Sequence, residues 1–191
     1  MVEAILLQHL PDASRIDGPA FVFAHILSPH PPFVFGPHGE AVQKSNPSTL
    51  VDGNYYHSQN PARVREYIEG YRGQVEYIDR AVLKTIDEIL RRSEPTPVIV
   101  LQGDHGPGSR ANLDDPRLTY LPERMSILYG VLMPDRDYRG WYDSITPVNT
   151  YRLVFDKLFG VTSTRLPDRS YFATFNMPYQ YYDVDTCDPH R

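Results

Sequence analysis

The chain has 191 residues, 41% apolar and 23% charged, with a formal charge of −5; a domain of that size buries roughly 70% of its unfolded surface. The acidic balance and the lack of any Lys/Arg run speak against nucleic acid as a partner. No apolar stretch approaches the roughly 20 residues that span a bilayer, and "MVEAILLQHLPDAS" carries an acid where a signal peptide carries cations, so the sequence reads as soluble as given and without an address.

The N-terminal segment, residues 1–18, places Val2, Ile5, Leu6 and Leu10 near helical spacing, which predicts a short amphipathic helix. Ser14 follows no apolar strand and has no acid pair beside it, so it does not read as a nucleophile. The core, residues 19–170, opens with "PAFVFAHIL", a β-rich run that reads as a buried strand from Pro19 to Leu27. In "SPHPPFVFGPHGE" three prolines forbid a regular ladder. Residues 41–60 are polar and turn-rich.

A long helical stretch follows. Asn60 suits the N-cap and Pro61 the first helical position. Val64, Tyr67, Ile68, Tyr71, Val75, Ile78, Val82, Ile86 and Ile89 fall at helical spacing. Gly70 and Gly73 mark a bend or a join, and Arg91 and Arg92 suit the negative end of the helix dipole. "PVIVLQ" is apolar without alternation, as a central parallel strand covered on both faces is. "RMSILYGVLMP" reads as a third strand. In "TPVNTYRLVFDKLFG", Thr146 caps a helix, Pro147 opens it and Gly160 ends it. "RSYFATF", from Arg169, and "YQYYDVD" read as short edge strands, residues 171–191 being the C-terminal edge strands and tail. The 18 prolines and 14 tyrosines fit ordered loops between short elements. A lone cysteine, Cys187, leaves no internal disulfide and no multi-cysteine zinc site.

These elements in order predict an α/β fold, a layered sandwich with a mostly parallel central sheet flanked by helices. In such a sheet ligands sit beyond the carboxyl ends of the strands. Asp104 and His105 fall there, in "VIVLQGDHGPGS", with an oxygen and an imidazole nitrogen suited to Zn²⁺ or Mn²⁺. Gly103, Gly106 and Gly108 allow positive φ and close backbone approach. The alternative is a turn capped by Asp104 and a surface histidine. His25 and His30 flank the end of the first strand in "AHILSPHPPFVF". Each offers a group for an anionic substrate oxygen, a leaving group or a metal; for His25 a backbone-bonded core histidine stands as the alternative.

"FVFAHILSPHPPFVF", "YRGQVEYIDRAVLKTIDEIL", "VIVLQGDHG" and "VNTYRLVFDKLFG", in this order, resemble the C-terminal half of a sulfatase-like domain. That family lies in the alkaline phosphatase superfamily, here in the branch of lipoteichoic acid synthases and phosphoglycerol or phosphoethanolamine transferases. The resemblance runs from Phe21 to Ser170. It implies a divalent metal (Zn, Mn, Mg or Ca), held weakly or not at all by this chain alone. Asp104 and His105 match the family's metal-ligand pair, and His30 matches the histidine of an "HxPF" loop facing the substrate's phosphate or sulfate. Asp79 in "YIDRAV" matches a position that is usually structural. The resemblance also implies a Thr, Ser or modified Cys nucleophile and a further acidic ligand, both from the family's N-terminal half. The chain is therefore expected to be an incomplete domain, inactive alone, of a membrane-anchored extracytoplasmic parent. The other two readings are a non-catalytic binding domain and an enzyme completed by a second chain. A strand edge left open by the absent half would favour a homodimer, the alternative being that the N-terminal amphipathic helix folds back and covers it.

Overall fold

The computed structural model describes residues 2–42 and 61–187. The chain divides into two compact units, Met1–Pro97 and Val98–Arg191. The Asn60 cap and nearly all of the polar excursion lie outside the described residues, as does the Cys187 side chain.

The first unit is built on one helix. Helix α1 spans Val2–His9 and runs into a 3₁₀ turn, Leu10–Arg15. Helix α2 spans Pro61–Arg92 without interruption. Its buried side chains are Tyr67, Gln74, Ile78 and Thr85, a stripe at intervals of seven, four and seven that holds one face of the helix inward. The N-terminal helix expected from sequence packs on α2. Leu7 is buried, and the Thr85 hydroxyl lies 3.0 Å from the Leu7 carbonyl and 2.9 Å from that of Ala81. Arg92 reaches Asp12 at 3.1 Å. The Ser14 hydroxyl donates to the Pro11 carbonyl and closes the turn.

Gly70 and Gly73 make no join in α2. They clear space for the loop that follows His30. A Cβ on Gly70 would overlap the Phe33 ring, and one on Gly73 would sit 3.3 Å from Pro37. Phe33 packs edge-on to Tyr67 at 5.3 Å, Tyr67 stacks on Tyr71 at 5.8 Å, and Phe35 lies 4.8 Å from Tyr77. This aromatic cluster is the core of the unit.

The strand expected at Pro19–Leu27 is not formed. The segment joins no ladder among the described residues, and Phe21 and Phe23 are 79% and 76% exposed. A β-rich sequence needs a neighbouring strand to satisfy its backbone groups, and composition alone cannot supply one.

The second unit holds two small sheets. Strand β1, Ile99–Gln102, pairs antiparallel with β2, Tyr129–Leu132, with Ile99 opposite Leu132 and Gln102 opposite Tyr129. The expectation of a mostly parallel sheet, with β1 at its centre, is thereby corrected. Parallel neighbours need a full crossover, usually a helix. The connection here carries a 3₁₀ turn, Pro116–Leu118, and one five-residue helix, α3, Leu121–Met125. It folds straight back, so that Gly103 N–H donates to Leu128 O at 2.9 Å. The residues of β1 and β2 are half-buried apart from the exposed Gln102. The third expected strand is trimmed at its start, because Leu121–Met125 is helical.

Helix α4, Pro147–Phe159, has the predicted punctuation: Pro147 opens it and Gly160, at φ 63°, ends it in the left-handed conformation. Its cap differs. Thr146 makes no side-chain cap bond; its N–H and hydroxyl both donate to Asp168, each at 2.7 Å. Asn149, fully buried, donates to Leu166 O at 2.8 Å and accepts from Leu166 N–H at 3.0 Å. Strands β3, Tyr171–Ala173, and β4, Tyr181–Asp183, form an antiparallel hairpin, followed by a short α5, Val184–Cys187. The two edge strands read from sequence are therefore present. Among the described residues no helix is long and apolar enough to cross a membrane.

Candidate metal and substrate site

Asp104 and His105 leave β1 on a loop tied to the segment after it. Gly106 N–H donates to Arg124 O at 2.7 Å, at the end of α3. A Cβ on Gly106 would overlap the carbonyls of Glu123 and Ser126 and lie 3.2 Å from that of Arg124. Glycine is needed here for close approach. It is not needed for positive φ, since neither Gly103 nor Gly106 adopts one, which corrects that part of the sequence reading.

The two side chains face each other. Asp104 Oδ1 accepts the His105 backbone N–H at 3.0 Å, so the turn-capping role is real. Its other oxygen, Oδ2, lies 3.5 Å from His105 Nε2. His105 Nδ1 lies 2.9 Å from Gly106 O. A carbonyl only accepts, so Nδ1 carries the hydrogen and, in the neutral ring, Nε2 keeps its lone pair. Asp104 is 83% exposed at its side chain and His105 33%, an open position that an ion can reach.

Whether this pair suits a divalent metal is a question of geometry. Tetrahedral zinc holds N and O donors at about 2.0–2.2 Å, which sets two adjacent donors about 3.4 Å apart. The observed 3.5 Å fits two corners of such a site. Two donors are half of a tetrahedral set. No group of three or more His, Cys, Asp and Glu able to hold a metal occurs among the described residues.

Of the other pair, His30 is half-buried and His25 exposed. His30 Nδ1 lies 2.5 Å from Pro31 O, so this ring too donates from Nδ1 and keeps Nε2 available. Its backbone N–H donates to Leu27 O at 2.8 Å. His25 stands 6.4 Å from the Phe23 ring, centroid to centroid, with no strand end for it to flank. Asp79 is exposed on α2, as its structural reading requires.

Sequence reasoning missed two residues that hold these loops. Gln74, fully buried, accepts from Val34 N–H at 2.8 Å and Phe35 N–H at 3.2 Å, and donates to His30 O at 3.2 Å. The signal was present: Gln74 lies seven residues after Tyr67, on the buried stripe, where an apolar residue belongs. Arg124 Nη1 donates to Gly106 O at 3.0 Å, the carbonyl that also takes His105 Nδ1. Arg124 was read as the start of a strand and gave no comparable signal.

The chain is a member of the sulfatase family, whose model matches residues 2–183. Members act on sulfate or phosphate esters and typically use divalent metals. No curated protein and no solved structure matches the chain.

Proposed function

We propose that this chain is the Asp-His portion of a metal-dependent sulfatase-like hydrolase or transferase, acting on phosphate or sulfate esters. Asp104 and His105 are its metal ligands, and His30, with His25 less directly, serves the substrate anion. The observation that carries the reading is the 3.5 Å approach of Asp104 Oδ2 to His105 Nε2, in a chain matched to the family over residues 2–183. A divalent ion bound there supplies Lewis acidity, neutralising charge on the transferred group and lowering the pKa of a nucleophile.

The chain's own residues do the preparation. Gly106 O holds the His105 ring so that Nε2 faces Asp104, and Asp104 divides its oxygens between capping the turn and presenting a negative ligand. In this reading the remaining ligands and the Thr, Ser or modified Cys nucleophile come from another segment, and the parent is a membrane-anchored, extracytoplasmic enzyme of the lipoteichoic acid synthase and phosphoglycerol or phosphoethanolamine transferase branch. The 191-residue chain by itself therefore binds metal weakly and turns over no ester.

Calorimetric titration with Zn²⁺ or Mn²⁺ tests the site. Micromolar or weaker binding, lost in both Asp104→Ala and His105→Ala, is expected; an affinity unchanged in both variants overturns the ligand assignment. Hydrolysis of p-nitrophenyl phosphate or sulfate by the chain alone, abolished by His105→Ala, would refute the inactivity.

A further inference from the structure

We propose that Arg124 is a positioning residue for His105: it fixes which ring nitrogen carries the hydrogen and so keeps Nε2 turned toward Asp104. The inference deepens the metal-site reading above and rests on it for its functional meaning. Its geometry stands independently.

The contacts form a closed set. Arg124 O accepts from Gly106 N–H at 2.7 Å. Arg124 Nη1 returns a bond to Gly106 O at 3.0 Å. The same oxygen takes His105 Nδ1 at 2.9 Å. One arginine thus grips both backbone polar groups of the residue that follows the histidine. The absent side chain of Gly106 is what lets the carbonyls at the end of α3 come this close.

Both lone pairs of the Gly106 carbonyl are then used, and its direction is fixed by a charged, planar donor. A carbonyl held in place takes the hydrogen of Nδ1 and so turns the Nε2 edge of the ring toward Asp104, the orientation in which Nε2 can give its lone pair to a metal. An outer partner of this kind sets tautomer and ring orientation for a ligating histidine, and its loss typically costs about 10–100-fold in metal affinity. Arg124 itself needs no contact with metal or substrate to do this.

The test uses the full ¹⁵N-labelled chain with Zn²⁺ present. Long-range ¹H–¹⁵N correlation reads the two ring nitrogens of His105, assigned by their disappearance in His105→Gln. The native chain is expected to show hydrogen on Nδ1 and none on Nε2. Arg124→Ala is expected to give a mixture of tautomers and a Zn²⁺ affinity lower by about tenfold or more; Arg124→Lys, which keeps a cationic donor, falls in between. Arg124→Met retains the aliphatic stem without the donors and replaces the alanine variant if that one fails to fold. A His105 ring pattern and Zn²⁺ affinity unchanged in Arg124→Ala or Arg124→Met overturn the proposal. If Asp104→Ala and His105→Ala leave metal affinity untouched, the metal-site reading falls, and the ring pattern still decides the role of Arg124.

Discussion

Replacing Gln74 by methionine removes three hydrogen bonds from the loop that carries His30 while nearly conserving side-chain volume. The amide of Gln74 serves Val34 N–H, Phe35 N–H and His30 O, and the residue is fully buried. The bond to Phe35 N–H is buried, whereas those to Val34 N–H and His30 O are partly buried and regain some water when the amide is gone. An orphaned buried group costs about 1–3 kcal/mol. Counting Phe35 in full and the other two in part gives a destabilisation of about 2–4 kcal/mol. With a urea slope of about 2 kcal/mol per molar, the midpoint falls by roughly 1–2 M. Circular dichroism at 222 nm follows α2 through the transition, and amide hydrogen exchange reads Val34 and Phe35 directly. Both amides should lose protection in Gln74→Met. If the midpoint moves by less than about 0.2 M and both amides stay protected, the loop is held by its aromatic packing and the hydrogen-bond account is wrong.

Gly70→Ala sets two effects of opposite sign against each other. Helix propensity favours alanine by about 1 kcal/mol, but the new Cβ overlaps the Phe33 ring, and overpacking costs about 1–3 kcal/mol. A lower melting temperature is expected, and a higher one would show that Phe33 yields freely. Asp168 governs acid stability in the second unit. Burial works against its charge, but hydrogen bonds from Tyr142, Thr146 and Asn149 outweigh it and hold the carboxyl below its ordinary range. A depressed carboxyl stabilises the fold above about pH 4, its unfolded range, and that stability drains away as pH falls further. Asp168→Asn should therefore melt lower at pH 7 and lose less between pH 4 and pH 2; an acid slope equal to that of the native chain would remove Asp168 from the account.

The helices were legible because their signals are local. Pro61 and Pro147 at first helical positions, and Gly160 just past the end of α4, act on their own backbone and need no partner. The β3–β4 hairpin was legible for the same reason, its two aromatic runs lying close in sequence. Pairing was not legible. "PAFVFAHIL" and "PVIVLQ" are both strand-like, yet among the described residues only the second finds a partner, and in the antiparallel sense. That outcome depends on the fold-back of the connection to β2, where Gly106 meets the α3 carbonyls, and no periodicity encodes it. Asp104 and His105 were visible as a dipeptide after a strand. Their mutual approach was not, because it depends on which oxygen caps the turn and which ring nitrogen the next carbonyl takes.

The two histidine loops solve one problem in the same way. A ligand or substrate histidine must present a chosen nitrogen, and a ring on a flexible loop makes no choice. His30 donates Nδ1 to the carbonyl of Pro31; His105 donates Nδ1 to that of Gly106. In each case the acceptor belongs to the next residue, so the tautomer is set within two residues of chain. Such a local arrangement holds only if the backbone around it is pinned, and each loop is pinned by a polar side chain outside it. Gln74 of α2 takes His30 O and the amides of Val34 and Phe35, while Arg124 at the end of α3 takes Gly106 O. The glycines follow from that demand. Gly70 and Gly106 are the points where loop and helix come too close for a side chain. A glycine where loop and helix meet thus marks their close approach, and the polar side chain on the helix, Gln74 or Arg124, is where the control of the histidine's loop resides.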